Sequence, residues 1–253
     1  MRRTLMTSLL ETVRDNLRFR ERIAIFEIGR VYWPRKGETL PEEPRHLCIA
    51  MTGPRASYSW LSGQAEPLDF FDLKGVVETL VTRLNLADVT FAPANHPTFH
   101  PGRAATLSVG EVEVGVLGEV HPDVCEAYDM GGRCVCLAEV NLEKLLATAG
   151  QPVRMTAISP YPAVYEDVAL VVDEDLPAAE VQQAIAAAGG KLLRLVELFD
   201  VYRGDQLPPD KKSLAFSLTY QAMDRSLTSD QVAKERQRMI RRLEPQIGAR
   251  LRE

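Results

Sequence analysis

The stretch LLRLVELFDVYRGDQLPPDKKSLAFSLTY, residues 192–220, is the most informative part of this chain. Two apolar runs of strand length flank a middle segment rich in Gly, Pro and Asp, which is typical of a β-hairpin with a long loop. Because strand side chains alternate between faces, we predict that the large side chains of the second run pack in a core, and that the small ones form a flat face open to a ligand. The large set is Leu214, Phe216, Leu218 and Tyr220, and the small set is Ser213, Ala215, Ser217 and Thr219.

The end of this hairpin gathers an aromatic ring, an acceptor and several donors. Asp200 and Tyr202 end the first run, and Lys211, Lys212 and Ser213 begin the second. Such a group suits stacking on an unpaired base while hydrogen-bonding to the base edge. The alternative is a solvated hairpin end in which Tyr202 packs on its neighbours, and composition alone favours that alternative.

The pattern around the hairpin predicts a ferredoxin-like βαββαβ domain. A strand at 168–172 precedes a helix with Pro177 suited to its first turn and Gly189 to its C-cap. A second helix follows the hairpin, and the last residues of the chain suggest a short final strand. We place this domain at 159–253, after a linker at 151–158.

The second helix of this domain is predicted to begin at Thr228, with Gln231 completing a capping box, and to end at Pro245. Between residues 230 and 252 the chain has seven Lys or Arg against three Asp or Glu, so this helix is locally basic. The basic side chains are equally compatible with a solvated face and with phosphate contacts. The candidates for phosphate contact on this helix are Arg238, Arg241 and Arg242.

Residues 1–150 are predicted to form a separate domain of helices and strands. A helix is expected from Ser8, with Glu11 completing a capping box. The run IAIFEIGRV that follows is apolar at most positions, so we predict a strand buried on both faces. A basic N-terminal end is interpreted as a solvated helix face.

The rest of this first domain shows three clear elements. Asp69 is expected to cap a helix that carries one apolar stripe. A two-residue turn at Gly110–Glu111 predicts a hairpin between 104–109 and 112–117, and a short helix is expected at 142–147.

Composition excludes several classes of protein. The chain has 253 residues, of which 45% are hydrophobic and 26% charged, as in ordinary globular proteins. No apolar run approaches the ~20 residues that span a bilayer, so we expect no membrane association. Four cysteines are few for this length, which favours a reduced, cytoplasmic chain. The net charge of −5 argues against broad, unspecific binding of nucleic acid.

Histidines and cysteines are concentrated between residues 96 and 136, which raises the possibility of a zinc site or a metal-dependent enzyme. His96 and His100 each precede a proline, so they do not share one helix face, and no CxxC pair is present. A Cys–His catalytic pair would need a third group to orient it, and the sequence suggests none. We therefore expect no metal site and no catalytic residues here. The cluster consists of His96, His100, His121, Cys125, Cys134 and Cys136.

Several segments resemble one family closely. LFDVYRG, KKSLAFSLTY and DRSLTSDQV occur in the order seen in the anticodon-binding domain of bacterial phenylalanyl-tRNA synthetase beta subunits. IFEIGRV, DFFDLKG, HPGR and GVLGEVHP resemble a class II synthetase-like domain of the same family. Three motifs in order over 35 residues, 198–232, are more specific than a single short motif.

The resemblance implies an α+β chain. Residues 1–150 would form a noncatalytic class II synthetase-like domain built on an antiparallel sheet, and residues 159–253 a ferredoxin-fold anticodon-binding domain. Glu27 and Arg30 are the only charges of IFEIGRV, and no later segment resembles a second ATP-binding motif. Chemistry would therefore lie in a partner alpha subunit of an α2β2 assembly. That subunit would use ATP and magnesium, with no cofactor in this chain.

The family also implies roles at the hairpin end. Tyr202 would stack on the first anticodon base of tRNA(Phe), and Ser213 and Asp200 would supply hydrogen bonds. Lys211, Lys212 and Arg203 are candidate phosphate contacts on charge alone. One departure weakens RNA contact at another edge, since Tyr165 and Glu166 stand where many relatives have a basic pair.

A different function is also compatible with the second domain. Ferredoxin-like domains can bind amino acids, and a fold does not determine a function. In that alternative, a regulatory protein would bind a small molecule at Gly189–Gly190, just before the hairpin.

Overall fold

A computed structural model of the chain describes residues 1–56, 59–60, 66–149, 155 and 157–252. They form two compact units, Met1–Arg154 and Met155–Glu253. Most of the predicted linker at 151–158 lies outside the described residues. No helix in the described ranges is long and apolar enough to cross a membrane.

The first unit is a six-stranded antiparallel sheet with strand order β1-β2-β6-β5-β4-β3. Its strands are β1 (Ile23–Arg30), β2 (Arg45–Thr52), β3 (Val89–Pro93), β4 (Phe99–Val109), β5 (Val112–Val120) and β6 (Val135–Asn141). Its helices are α1 (Met6–Asn16), α2 (Phe70–Arg83), α3 (Pro122–Ala127) and α4 (Leu142–Ala147). The antiparallel sheet, the β4–β5 hairpin and the helix at 142–147 confirm the sequence predictions.

Both faces of the sheet are covered at its centre. Cys48 and Ala50 of β2 contribute to the core on the α1 side, whereas Ile49 and Met51 contribute to the core on the α2 side. Side chains of β6 also alternate between the two cores, because successive side chains of a strand point to opposite faces. The adjacent interior strands β2 and β6 are therefore buried on both sides.

The strand predicted at 23–31 is confirmed as β1, but the prediction that it is buried on both faces is wrong. β1 lies at the sheet edge, and its side chains alternate between covered and open positions. Phe26 is 69% exposed and Ile28 is 56% exposed, on the face that α2 covers farther along the sheet. An apolar run shows that residues suit a strand, but not which of the two sheet faces is covered.

The N-terminus of α1 also differs from its prediction. The helix begins at Met6 rather than at a Ser8 cap, and its N-cap residue Leu5 makes no side-chain capping bond. A buried carboxylate on β6 replaces the local cap: Glu139 Oε1 accepts the Leu5 backbone N–H at 2.9 Å. The Ser8 hydroxyl donates instead to the Leu5 carbonyl oxygen, at 3.1 Å.

Glu139 links the helix to the sheet. Its carboxylate also accepts from the Thr4 hydroxyl, and it lies 3.0 Å from Nδ1 of His46 on β2. Burial alone raises the pKa of Glu139, but the hydrogen bonds from His46, Thr4 and Leu5 outweigh burial and leave that pKa lowered. A buried charge is tolerated when its oxygens are satisfied in this way.

We predict that Glu139→Gln lowers the free energy of unfolding of the first unit by about 2 kcal/mol, because charge-assisted hydrogen bonds are lost from a buried site. Both tryptophans, Trp33 and Trp60, lie in this unit, so tryptophan fluorescence during urea unfolding measures it selectively. Since the folded pKa of Glu139 is lowered, its stabilisation is present above the unfolded pKa and disappears as the pH falls.

Glu143→Gln is the matched control. Glu143 forms an ion pair with Arg45 at 2.8 Å, but both side chains are about half exposed. Exposed pairs contribute about 0–1 kcal/mol, so this variant should unfold close to the parent. Equal losses in the two variants would contradict a special role for Glu139.

The second unit has the order β7-α5-β8-β9-α6-β10, which confirms the predicted βαββαβ arrangement. Its antiparallel sheet has the strand order β10-β7-β9-β8. The elements are β7 (Val164–Asp173), α5 (Ala178–Ala188), β8 (Leu193–Tyr202), β9 (Lys211–Tyr220), α6 (Ser229–Ile247) and β10 (Arg250–Leu251).

The predicted helix ends are confirmed in part. The Thr228–Gln231 capping box is present at the start of α6, and Gly189 is the C-cap of α5. Pro245, however, does not end α6, which continues to Ile247 and stops at Gly248 with φ 65°. A proline in the last turn removes one N–H, whereas the left-handed backbone at Gly248 ends the helix.

One core lies between the two helices and one face of this sheet. Leu214, Phe216, Leu218 and Tyr220 are all at most 1% exposed, as predicted. The hydroxyl of Tyr220 is buried and has no hydrogen-bond partner within the part of the chain that the structure describes. Burial, followed by the nearby Glu166 carboxylate, raises the pKa of Tyr220 to about 12.

We predict that Tyr220→Phe leaves the stability of the second unit unchanged at neutral pH or raises it by about 1 kcal/mol, because it removes an unpaired buried hydroxyl. Above pH 10 the unfolded tyrosine ionises before the folded one, so wild-type stability should fall between pH 10 and about 12. Hydrogen exchange of β9 amides at several pH values measures both effects. A loss of stability in Tyr220→Phe at neutral pH, or an undiminished alkaline loss, would contradict this account.

Candidate nucleic-acid interface

Two bulges in β8 determine which of its side chains leave the core. Pairing with β9 runs regularly to Leu198 opposite Phe216, skips Phe199, and resumes with Asp200 opposite Ala215. A second irregularity lies at Arg194. An extra residue reverses the alternation of the strand beyond it. The bulge at Phe199 therefore places Asp200 and Tyr202 on the face opposite the core, which we call the open face.

The open face brings together the residues predicted to contact a base. Tyr202 is paired with Ser213, and Asp200 is paired with Ala215 in the adjacent position. Asp200 is exposed and forms no side-chain hydrogen bond or ion pair with the described residues. An aromatic ring and a free carboxylate thus lie side by side on a surface of small residues.

A residue that the sequence analysis missed lies on this site. The guanidinium of Arg252 is 4.4 Å from the centre of the Tyr202 ring, and it donates to Gln206 Oε1 at 2.9 Å. Cation–π contacts of this kind hold a ring in a defined orientation. Arg252 comes near Tyr202 because β10 pairs with β7 in the folded sheet. No local sequence pattern could have indicated this contact.

Ser213 is less accessible than a base contact requires. It is 2% exposed, and in its row of the sheet it lies on β9 between Tyr202 on β8 and Val171 on β7. Burial of this kind leaves the Ser213 hydroxyl without the exposure that the predicted hydrogen bond to a base needs.

Two of the predicted phosphate contacts lie near the hairpin loop, and both are ion-paired. Arg203 Nε lies 2.8 Å from Glu174 Oε1, and Lys211 pairs with Asp173. These residues border a cavity of about 520 Å³ beside the loop. Surface ion pairs of this kind are weak, so both cations remain available to an anion.

Lys212 does not suit the predicted phosphate contact. It is 7% exposed, and its Nζ donates to the carbonyl oxygen of Glu174 at 2.6 Å. Its position opposite Val172 points it toward the core face of the sheet. The ammonium group that was predicted to contact an RNA phosphate is therefore buried and already bonded within the protein.

The cations of α6 are separated from Tyr202 by the sheet. Met239 and Leu243 of α6 pack in the core on the face opposite the open face. Arg238 pairs with Glu235 at 2.8 Å, Arg242 donates to the Ala188 carbonyl at 3.4 Å, and Arg241 is exposed. The predicted RNA contacts therefore lie on two opposite surfaces of the unit. A nucleotide stacked on Tyr202 would not reach the cations of α6.

The histidines and cysteines of the first unit do not converge on a metal. Among the described residues, no group of three or more His, Cys, Asp or Glu side chains is arranged to hold an ion. His100 and His121 stack with ring centres 6.2 Å apart, and His121 caps α3. His96 borders a groove of about 300 Å³, where burial lowers its pKa.

Comparison with known families agrees with both folds. Residues 1–142 match the family model described as "Phenylalanyl tRNA synthetase beta chain CLM domain". Residues 159–252 match the ferredoxin-fold anticodon binding domain. This chain belongs to the phenylalanyl-tRNA synthetase beta chain family. The resemblance described from the sequence motifs is thereby confirmed.

Curated relatives carry the name phenylalanine–tRNA ligase beta subunit. The chain is 44% identical over 253 residues to the one from Symbiobacterium thermophilum and 38% identical over 255 residues to the one from Clostridium acetobutylicum. The protein from Moorella thermoacetica is 41% identical over 257 residues. All of this chain is covered in each case, but it spans only 28%, 30% and 31% of these relatives, respectively.

A solved structure, Desulfitobacterium hafniense PylSc, a pyrrolysyl tRNA synthetase, is also similar. Its TM-score is 0.44 at 17% identity, over 58% of this chain and 49% of that chain. This likeness is too low to support a conclusion.

The small-molecule alternative is not supported. The family matches favour a synthetase beta chain. A Cβ at Gly189 would lie 2.1 Å from Leu193 Cδ2, so the turn packs tightly against the start of its own hairpin.

We predict that deleting Phe199 changes the stability of the second unit by less than about 1 kcal/mol, because deletion removes only the bulged residue and keeps Asp200 and Tyr202 on the open face. Deleting Val201 instead reverses the alternation and directs Tyr202 toward the core. This deletion should lower the free energy of unfolding several-fold more than deletion of Phe199. Urea unfolding followed by far-ultraviolet circular dichroism compares the two. Equal stabilities would contradict the assigned register.

Proposed function

We propose that this chain is the anticodon-binding and scaffolding portion of a phenylalanine–tRNA ligase beta subunit. The observation that carries the proposal is the pair Asp200 and Tyr202, which lie together on the open face of a domain matched by an anticodon-binding family. Curated relatives that share all of this chain are ligase beta subunits. In this proposal the chain works in the cytoplasm and contributes to ATP-dependent charging of tRNA(Phe).

The proposed complex contains an alpha subunit that performs the chemistry. The beta-chain family of the first unit supports this assignment, because a beta chain implies an alpha partner. We propose an α2β2 assembly in which the alpha subunit binds ATP and magnesium. The first unit would then scaffold the alpha subunit, and the second unit would bind RNA.

The free structure suggests how the base is received. Arg252 lies on one face of the Tyr202 ring and holds its orientation. An incoming base either takes the place of the guanidinium or stacks on the other ring face, and in both cases the ring is already positioned. Asp200 accepts donors from the base edge, and Arg203 and Lys211 are the cations nearest in sequence for the adjacent phosphates.

Local contacts of this kind give modest affinity. A stacked base contributes about 1–3 kcal/mol, and the net charge of the chain adds no general attraction for RNA. Binding should therefore depend strongly on the single aromatic contact and be measurable mainly at low salt.

We predict that Tyr202→Ala weakens binding of a tRNA(Phe) anticodon stem–loop to the full chain by about 5-fold to about 150-fold, because stacking is lost. Fluorescence anisotropy with a labelled stem–loop at low salt measures the dissociation constant. Circular dichroism of each variant verifies that the fold is kept.

Tyr165→Ala is the control. Tyr165 is 71% exposed on the same open face, opposite Thr219, six positions along β9 from the row of Tyr202. It should bind the stem–loop like the parent. Equal affinities of the parent and Tyr202→Ala would overturn the stacking role, and no binding by the parent would contradict RNA binding by this chain.

A further inference from the structure

Two thiols and two opposite charges meet on the α2 side of the first unit, whereas the residues assigned to RNA belong to the second unit. Cys136 on β6 lies directly opposite Glu119 on β5, so their side chains share one sheet face. Glu119 accepts from Arg103 of β4, with both of its oxygens 2.9 Å from the guanidinium. Cys134 precedes Cys136 by two residues and completes the group.

The two sulfur atoms already face one another. Cys134 Sγ and Cys136 Sγ are 3.9 Å apart, within hydrogen-bonding distance for sulfur. A disulfide needs about 2.0 Å, so a movement of roughly 2 Å joins them. Thr52 Oγ1 holds the backbone of this segment by donating to the Cys134 carbonyl oxygen at 2.7 Å.

Access differs sharply between the two thiols. Cys134 is half-buried, whereas Cys136 is 0% exposed. A dissolved reagent therefore meets Cys134 first. Cys136 can therefore react only after Cys134 has formed a mixed disulfide, by attacking the Cys134 sulfur.

The surroundings favour the thiolate of Cys134 over that of Cys136. The hydrogen bond with Cys136 lowers the pKa of Cys134, although burial and the carboxylates of Glu119 and Asp69 act in the opposite direction. The charge of the Cys134 thiolate contributes to raising the pKa of Arg103, so the two charges attract one another. The same hydrogen bond, together with burial, raises the pKa of Cys136. Reactive cysteines lie in partly exposed sites of this kind.

We propose that Cys134 and Cys136 form an oxidisable dithiol, in which Cys134 is the attacking thiolate and Cys136 the resolving thiol, with low-molecular-weight disulfides as the reactive class. Arg103 is a positioning residue that supports the thiolate electrostatically. The site is independent of the proposed RNA-binding function.

The reaction balances in two exchanges. The Cys134 thiolate attacks one sulfur of oxidised glutathione, which forms a mixed disulfide and releases one glutathione thiolate. Cys136 gives its proton to that thiolate and attacks the Cys134 sulfur, which releases the second glutathione. Two electrons pass from the cysteine pair to glutathione, and the mixed disulfide removes the Cys134 charge that had opposed ionisation of Cys136.

The test is incubation of the full, folded chain with oxidised glutathione, followed by alkylation of the remaining thiols and mass spectrometry of peptides. We expect a peptide that contains both Cys134 and Cys136 and has lost two hydrogen atoms. Cys136→Ser should instead accumulate a glutathione adduct on Cys134, and Cys134→Ser should leave Cys136 unmodified. Cys48 and Cys125 are buried with raised pKa values and serve as internal controls.

Three results would overturn the proposal. They are a stable glutathione adduct in the parent without a bridge, modification of Cys136 in Cys134→Ser, and reaction of Cys48 or Cys125 as fast as Cys134. Tryptophan fluorescence confirms that each variant is folded before it is treated.

A second measurement tests the charge. Arg103→Gln should shift the pH dependence of Cys134 alkylation by iodoacetamide to higher pH and slow the reaction at neutral pH. Arg45→Gln is the matched control, because Arg45 also pairs with a glutamate but lies elsewhere on the surface. Identical profiles for both variants would remove Arg103 from the proposal.

Discussion

The register between β8 and β9 is the constraint on which both the core and the open face of the second unit depend. Every residue of β9 has its direction determined by alternation, so the partner strand must present matching faces. The bulge at Phe199 shifts β8 by one residue partway along its length. That single shift directs Leu198 and Val201 toward the core side while Asp200 and Tyr202 turn to the open face.

A comparable constraint organises the first unit, but it is polar. The carboxylate of Glu139 lies between the sheet and the start of α1, where it accepts from a backbone N–H, a hydroxyl and an imidazole. A charge in this position is costly unless all of its partners are present, so it specifies how the helix docks. At the edge strand β1, by contrast, Phe26 is exposed on the α2 side of the sheet.

The candidate site illustrates how charge in a sequence differs from charge on a surface. Lys212 and Arg241 look equally available when only their neighbours in the chain are considered. In the fold, Lys212 turns inward to a carbonyl oxygen, and Arg241 lies on the layer opposite Tyr202. Arg252 was overlooked because it lies fifty positions from Tyr202 in the sequence, although it touches the ring in the structure.

For the elements that were predicted, the sequence by itself determined the type and the order, because periodicity, caps and turn residues act over only a few positions. The capping boxes at Asp69 and Thr228 and the buried alternation of β9 follow from such local rules. Only the tertiary structure decided the bulge at Phe199, the open face of β1, the capping of α1 by Glu139 and the placement of Arg252 on Tyr202. Each of these depends on which distant residue comes to lie opposite, and pairing between distant strands leaves no signature in the local pattern.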